Sequence, residues 1–354
     1  MHRVIRTAHR WIGATLALVL LAVGLSGALL VLRDPYYRLR HPAIASGTSP
    51  ATLDGMRALE QTLLGDARTQ HLRVLRFPHE GFPAFHAWFA GDAEALIASD
   101  GSHVIDAWDG PTRLMPFLFG LHAHLLGGDT ASTVNGIAGL AGVFLALSGM
   151  LIWWRRRAAF PLRRSLPTTR TRVAWLRSHA AIGMMLTLPI ALFCATGAAL
   201  VFSATATSAL SRWLDATPAQ RPRAHLAPSG CMSLPLADLA DVARHVYPGG
   251  ALMMYVPGTA TNAVATFRVR LPGEWHPNGR TYVVVDPCTG RVLESIDARQ
   301  QGRGTRLGFA IYPVHAARGS AGWLAVPAAI AGLGLAWLAL SGLITCTASR
   351  LGRR

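Results

Sequence analysis

The sequence predicts an α-helical integral membrane protein. Its four transmembrane (TM) helices form a parallel two-fold repeat, and it carries two α+β domains outside the bilayer. Three observations predict this: four long apolar runs, a one-sided distribution of arginine, and an internal repeat that spans most of the 354 residues.

A bilayer-spanning helix needs roughly 20 mostly apolar residues. Runs near 9–32, 133–154, 179–204 and 322–347 meet that requirement. The first run reads as a retained helix and not as a cleaved signal. It is longer than an ordinary signal core of about 7–15 residues, and no A-x-A site follows it. The arginines orient the spans. Residues 1–10, 155–177 and 348–354 hold 3, 8 and 3 of them with no Asp or Glu, whereas all 18 acidic residues lie in 33–132 and 205–321 with the other 20 arginines. The net charges are therefore +14 on one side and +2 on the other, out of a total of +16. The positive-inside rule places both termini and the arginine-rich loop in the cytoplasm. The basic character reflects topology, and no nucleic-acid partner is expected.

The repeat is read by alignment without gaps. AHRWIGATLALVLLAVGLSGALLVL from residue 8 matches SHAAIGMMLTLPIALFCATGAALVF from residue 178, so His9 meets His179, Gly13 meets Gly183, Ser26 meets Thr196 and Gly27 meets Gly197 at an offset of 170. GLHAHLLGG matches PVHAARGSA at an offset of 193, so His122 meets His315, and Ser148-Gly149 meets Ser341-Gly342. Each half is then one helix, one outer domain and a second helix, and the second outer domain is longer by 193 − 170 = 23 residues. Equal helix counts with both halves starting inside give a parallel repeat about an axis along the membrane normal. The resulting segments are 1–32 (first span), 33–132 (first outer domain), 133–154 (second span), 155–178 (cytoplasmic loop), 179–204 (third span), 205–321 (second outer domain) and 322–354 (fourth span).

In the outer segments RTYVVVDPCTGRVLESI and AEALIASDGSHVIDAW each read as strand–turn–strand. SPATLDGMRALEQTLL and SLPLADLADVARHV read as amphipathic helices capped by Thr52 and Ser233. Cys194 and Cys346 fall in spans as structural thiols. Cys231 and Cys288 share the second outer segment, where an oxidising compartment leads us to expect a disulfide. Trp11, Trp153, Trp154, Trp213 and Trp323 sit at span ends, as an interfacial belt requires.

The symmetry puts His9 and His179 at one level and His122 and His315 at another. A single histidine near a helix end is ordinarily a boundary residue. Retention in register in both halves favours a shared role, and paired imidazoles from different helices suit bis-histidine ligation of haem iron. Gly13 and Gly183, four residues after their histidines and so on the same helix face, leave space for a flat macrocycle. Arg10 and Arg177 are placed to meet haem propionates, and Arg113 and Arg318 are weaker candidates on the outer side. His124 meets Ala317 and has no counterpart, which fits a supporting or substrate-facing role. The nine other histidines carry no assignment. Two histidines per level fall short of the four ligands of a zinc site, and no HExxH, phosphate loop, nucleophile elbow or dinucleotide fingerprint occurs. A non-enzymatic ligand-binding or regulatory membrane protein stays open as a rival. So does a metal or siderophore transporter, although the spans contain no Asp or Glu.

Taken in order, HRWIG (9–13), LSGAL (25–29), LHAHLLGG (121–128), LSGMLIWWRRR (147–157), HAAIG (179–183), ATGAAL (195–200) and VHAARGSAG (314–322) resemble the PepSY-associated transmembrane family over nearly the whole chain. The resemblance implies a bacterial inner-membrane protein whose outer segments are PepSY-like periplasmic domains. The branch it is most similar to implies a ferric-siderophore reductase with two b-type haems, which frees iron by reducing Fe(III) to Fe(II). His9, His122, His179 and His315 match the family's haem-binding histidines. The chain departs from the pattern where its last span ends GLITCTASRLGRR in place of the usual Trp-Arg ending. Some relatives continue into a cytoplasmic flavin reductase module, and this sequence stops at 354 without one. A separate reductase or membrane quinol is therefore the expected electron donor.

Overall fold

A computed structural model describes residues 2–65, 71–154, 165–223, 232–259 and 263–351. The chain divides into two compact units. One comprises residues 1–31, 114–206 and 314–354, and the other comprises 32–113 and 207–313.

The first unit is helical. Its long helices are α1 (His2–Leu30), α6 (Gly128–Trp154), α7 (Arg172–Val201) and α11 (Ala325–Leu351), and all four are long and apolar enough to cross a membrane. Short helices α5 (Leu114–His124) and α10 (Arg303–Ala316) lead into α6 and α11, with α10 beginning in the other unit. α1 and α7 begin seven residues before the apolar runs that mark them in the sequence, so His9 and His179 lie two turns inside their helices. α7 starts so early because Thr171 caps it, accepting from the Ala174 N–H. The cytoplasmic loop expected over 155–178 is thus shorter, and its residues 155–164 lie outside the described residues.

Helix packing repeats itself. α1 packs on α11 where Gly24 meets Gly332, and α6 packs on α7 where Gly139 meets Cys194. A Cβ on Gly24 would sit 2.6 Å from the Gly332 carbonyl oxygen, and one on Gly139 would sit 3.1 Å from that of Cys194. Without side chains at these crossings the backbones approach closely, which is how helices associate when lipid supplies no hydrophobic drive.

The second unit contains α2 (Arg33–Arg40), α3 (Pro42–Ala45), α4 (Leu53–Gly65), α8 (Ser203–Leu214, which begins in the first unit) and α9 (Leu236–Val246). Its strands are β1 (Leu72–Arg76), β2 (Ala84–Phe89), β3 (Ala93–Ala98), β4 (Val104–Asp109), β5 (Ala251–Val256), β6 (Ala265–Arg270), β7 (Thr281–Val285) and β8 (Val292–Ile296). The two strand–turn–strand readings correspond to β3–β4 and β7–β8. The outer segments, read from sequence as two domains, share one antiparallel sheet in the order β4-β3-β2-β1-β5-β6-β7-β8. They fuse because β1 and β5 would each leave an open edge, and pairing the two edges satisfies both rows of backbone groups.

The two half-sheets have the same register. Leu75 lies opposite Tyr255, its own counterpart 180 residues on. Leu75↔Ala87 becomes Tyr255↔Phe267, also shifted by 180, and Ala95↔Ala107 becomes Val283↔Ser295, shifted by 188. The irregularity at Leu96/Ile97 recurs at Val284/Val285. The 23 extra residues of the second segment are therefore spread over three connections, since the offset climbs from 170 through 180 and 188 to 193.

α4 and α9 cover one face and close a single core of Met56, Leu59, Leu75, Phe85, Leu239, Phe267 and Val283. Each such side chain contributes about 1.5–3 kcal/mol by leaving water. Thr52 caps α4 as expected, accepting from the Gly55 N–H at 3.0 Å. Ser233 does not cap α9, which starts later, at Leu236. The Leu236 N–H instead donates to the Glu60 carboxylate of α4, so one helix caps the other. Gly101, at φ +75°, turns β3 into β4 against α4, where a Cβ would strike the Gly55 carbonyl oxygen. Cys288 is disulfide-bonded, and Cys231, its expected partner, lies outside the described residues. Neither Cys194, which is buried, nor Cys346 takes part in a disulfide.

On the opposite face His86 is buried, stacked on Trp88 at 3.8 Å and hydrogen-bonded through Nε2 to Glu94 at 2.7 Å. Burial holds its imidazole below the usual histidine range, against the opposing pull of Glu94. The unfolded chain takes up this proton near pH ~6.5, before the folded one does, so the stabilising contribution is complete above that pH and lost as pH falls. The melting temperature should therefore drop between pH 7.5 and 5.5, and less so in His86→Asn; an acid-independent melt contradicts this. The crossing at Gly24 yields a second expectation. Gly24→Ala should destabilise by about 1–3 kcal/mol, whereas Gly13→Ala, whose new Cβ meets only Leu145 Cδ2 at 3.7 Å, should leave the thermal melt of cofactor-free protein unchanged.

Candidate functional site

Four histidines meet in two pairs inside the helical unit. The rings of His9 on α1 and His179 on α7 have centroids 6.3 Å apart and planes at 90°. His122 on α5 and His315 on α10 have centroids 5.9 Å apart, with planes tilted by 33°.

Each ring is positioned by its own half of the chain. His9 Nδ1 lies 2.9 Å from Ser148 Oγ on α6, and His179 Nδ1 lies 3.0 Å from Ser341 Oγ on α11. His122 Nδ1 lies 3.0 Å from the Val23 carbonyl oxygen and 3.5 Å from Ser26 Oγ, both on α1. His315 Nδ1 lies 3.1 Å from Thr196 Oγ1 on α7, beside the Phe193 carbonyl. Glycines fit the ring edges. A Cβ on Gly27 or Gly197 would strike Cε1 of His122 or His315 at 2.6 or 2.9 Å, and Gly149 and Gly342 lie similarly against His9 and His179, at 3.3 and 3.4 Å.

These contacts assign the tautomers. The Val23 carbonyl can only accept, so His122 Nδ1 carries the proton. The hydroxyl protons of Ser148, Ser341 and Thr196 are directed to carbonyls of their own helices, at Leu145 (3.2 Å), Trp337 (2.7 Å) and Leu192 (2.8 Å). Their oxygens therefore accept from Nδ1–H of His9, His179 and His315. In all four rings Nε2 is left as a bare lone pair, and no described residue hydrogen-bonds to it. An imidazole fixed this way could ligate a metal ion without reorienting.

Along α1, His9 and Ser26 are 26 − 9 = 17 residues apart, and His179 and Thr196 on α7 are again 17 apart. At 1.5 Å per residue the two levels stand about 26 Å apart, most of a hydrocarbon core. No group of three or more His, Cys, Asp or Glu able to hold a bare metal ion occurs among the described residues. The arrangement is a two-imidazole grip at each level, suited to a metal centre whose other ligands come from elsewhere.

The remaining sequence candidates do not join these pairs. His124 ends α5 and packs edge-on against Phe119 at 6.0 Å. Arg10 is exposed above the Trp11 ring, and Arg177 is exposed on α7. Arg113 belongs to the sheet unit, ion-paired with Asp106 at 3.0 Å. The hydroxyl and glycine neighbours of the rings are functional positions that sequence reading found only as markers of the repeat. Their coincidence in both copies was the available signal.

A bundle of apolar helices bearing inward-facing imidazole pairs, with an antiparallel sheet unit carried between its segments, defines a helical membrane protein. The chain belongs to the PepSY-associated TM region family, whose family model matches residues 6–344. No curated protein matches it.

Proposed function

We propose that this is a di-haem electron-transfer protein of the bacterial inner membrane, a parallel two-fold repeat that reduces a ferric chelate on the periplasmic side from Fe(III) to Fe(II). The observation that carries this reading is the pairing of four Nδ1-anchored imidazoles at two levels with every Nε2 lone pair free. The ring separations of 6.3 and 5.9 Å leave space between each pair for a metal ion that both imidazoles would hold. Gly13 and Gly183 face the His9 and His179 level, where a Cβ would meet only a leucine methyl at 3.7 and 3.5 Å. No protein contact demands glycine there, whereas a flat macrocycle does.

His9 with His179, and His122 with His315, would hold two b-type haems, which when bound carry single electrons between ferrous and ferric iron. Ligation by two histidines would suit electron transfer over oxygen activation. Ser148, Ser341, Thr196 and the Val23 carbonyl keep Nε2 deprotonated and the rings oriented. Arg10 and Arg177 supply exposed positive charge near His9 and His179 for propionates. By the arginine distribution that end is cytoplasmic, so electrons enter there from a separate reductase or from quinol and leave toward the chelate. A purely ligand-binding protein gives the four matched tautomers no role.

Protein purified from haem-replete cells should be red, with a dithionite-sensitive spectrum and about two haems per chain. His122→Ala and His9→Ala should each lose one haem, and the double variant both. Gly13→Leu should lower occupancy at the His9 level alone. Colourless wild-type protein, or unchanged haem content in His122→Ala, overturns the reading.

A further inference from the structure

The face of the sheet away from α4 and α9 breaks the repeat that the covered face keeps. On the covered face Leu75, Ala87, Ala95 and Ile97 are matched by Tyr255, Phe267, Val283 and Val285, all apolar. On the other face Trp88 is replaced by Arg268, and Glu94 by Tyr282. Core packing constrains the first set in both copies. The first half also keeps a buried cation on this face, Arg76 in register with His86, and the second half adds Arg268 and Arg280 where the first has none.

The divergent half also has a longer β6–β7 connection, ten residues (271–280) against three (90–92) between β2 and β3. Glu274 builds this loop. Its buried carboxylate accepts the N–H groups of Leu271 (3.0 Å) and Arg280 (2.6 Å) and the Thr281 hydroxyl (2.7 Å). Arg268 donates through Nε to the Gly279 carbonyl at 3.2 Å and through Nη1 to Met254 Sδ at 3.3 Å. The Arg280 guanidinium lies 5.4 Å from the Phe309 ring centroid and 3.4 Å from Tyr282 Oη, while its Nε has no acceptor. His276 accepts the Asn278 N–H at Nδ1, 3.2 Å away, and stacks on Tyr312 at 4.9 Å. Its Nε2 is therefore a donor.

The site thus presents N–H and O–H donors and two guanidiniums, neither of which forms an ion pair with a described carboxylate. Asn278 Oδ1, buried and also without a partner, becomes a further donor when the amide flips. Burial and the neighbouring Arg280 push the Arg268 guanidinium down to about 10. Burial, with the Arg280 and Arg268 charges adding to it, drives His276 far below its usual range, so the imidazole is neutral. Two cations held this close repel one another unless an anion joins them.

We propose that Arg268, Arg280, His276 and Tyr282 form a binding site for an oxyanion group, carboxylate or phosphate, between α10 and the face of the second half-sheet turned away from α4 and α9. Guanidinium pairs with such groups through parallel charge-assisted hydrogen bonds, and the neutral His276 adds a donor without adding repulsion. If the ferric-chelate reading holds, which this extension rests on, the site selects chelates bearing free carboxylates.

Calorimetric titration of the purified full chain with citrate, and separately with inorganic phosphate, tests the site. Binding of either identifies the oxyanion source, and affinity should weaken as salt rises. Arg280→Gln and Tyr282→Phe, each with a wild-type melting temperature and haem spectrum, should bind about tenfold or more weakly and about two- to fivefold more weakly, respectively. No binding of either anion by wild-type protein, or wild-type affinity in Arg280→Gln, overturns the proposal. Haem-loaded protein that binds neither anion removes this site and leaves the electron-transfer reading intact. Colourless protein that binds citrate does the reverse.

Discussion

The helical unit depends on one interaction made four times: a histidine Nδ1–H donated to an oxygen on a neighbouring helix of the same half of the chain. An unpartnered N–H in an apolar bundle costs free energy, and a bond to serine, threonine or a carbonyl removes that cost while setting the ring's rotation. The acceptor hydroxyls can do this only because their own protons are already directed to carbonyls one turn back. Each half therefore prepares two rings independently. Close helix crossings at Gly24–Gly332 and Gly139–Cys194 then bring the halves near enough for the rings to pair.

The sheet unit joins its halves by a different physics. The β1–β5 ladder unites two four-stranded sheets, and one hydrophobic core then draws on strands of both halves. α4 and α9 are coupled further by the Glu60 carboxylate at the start of α9. A contact of that kind, from one half to the helix terminus of the other, ties together the two segments that the sequence presents as separate domains.

Repetition and its failure are equally informative. Where both copies meet the same constraint, whether ring placement, helix crossing or core volume, the residues agree in kind. On the sheet face turned away from α4 and α9 the copies diverge. The first half holds the neutral-leaning His86 with Glu94, and the second holds Arg268 and Arg280 around a loop braced by Glu274.

The sequence by itself determined the four apolar helices, the strand–turn–strand pairs, the Thr52 cap and the correspondence of His9 with His179 and His122 with His315, because hydropathy, turn residues and in-register repetition are local or linear signals. It did not reveal that α1 and α7 begin seven residues before their apolar runs, since arginine-rich turns continue a helix beyond its apolar part, and it assigned Ser233 a capping role that a carboxylate from another helix fulfils. Only the tertiary structure decided that the outer segments share one sheet, because strand edges do not reveal their partners in sequence. It alone brought His86 and His276 out of a scatter of polar histidines into organised surroundings. The Nδ1 partners of the four paired rings were likewise settled in three dimensions, since a hydrogen bond between residues 99 to 162 positions apart leaves no mark on the chain between them.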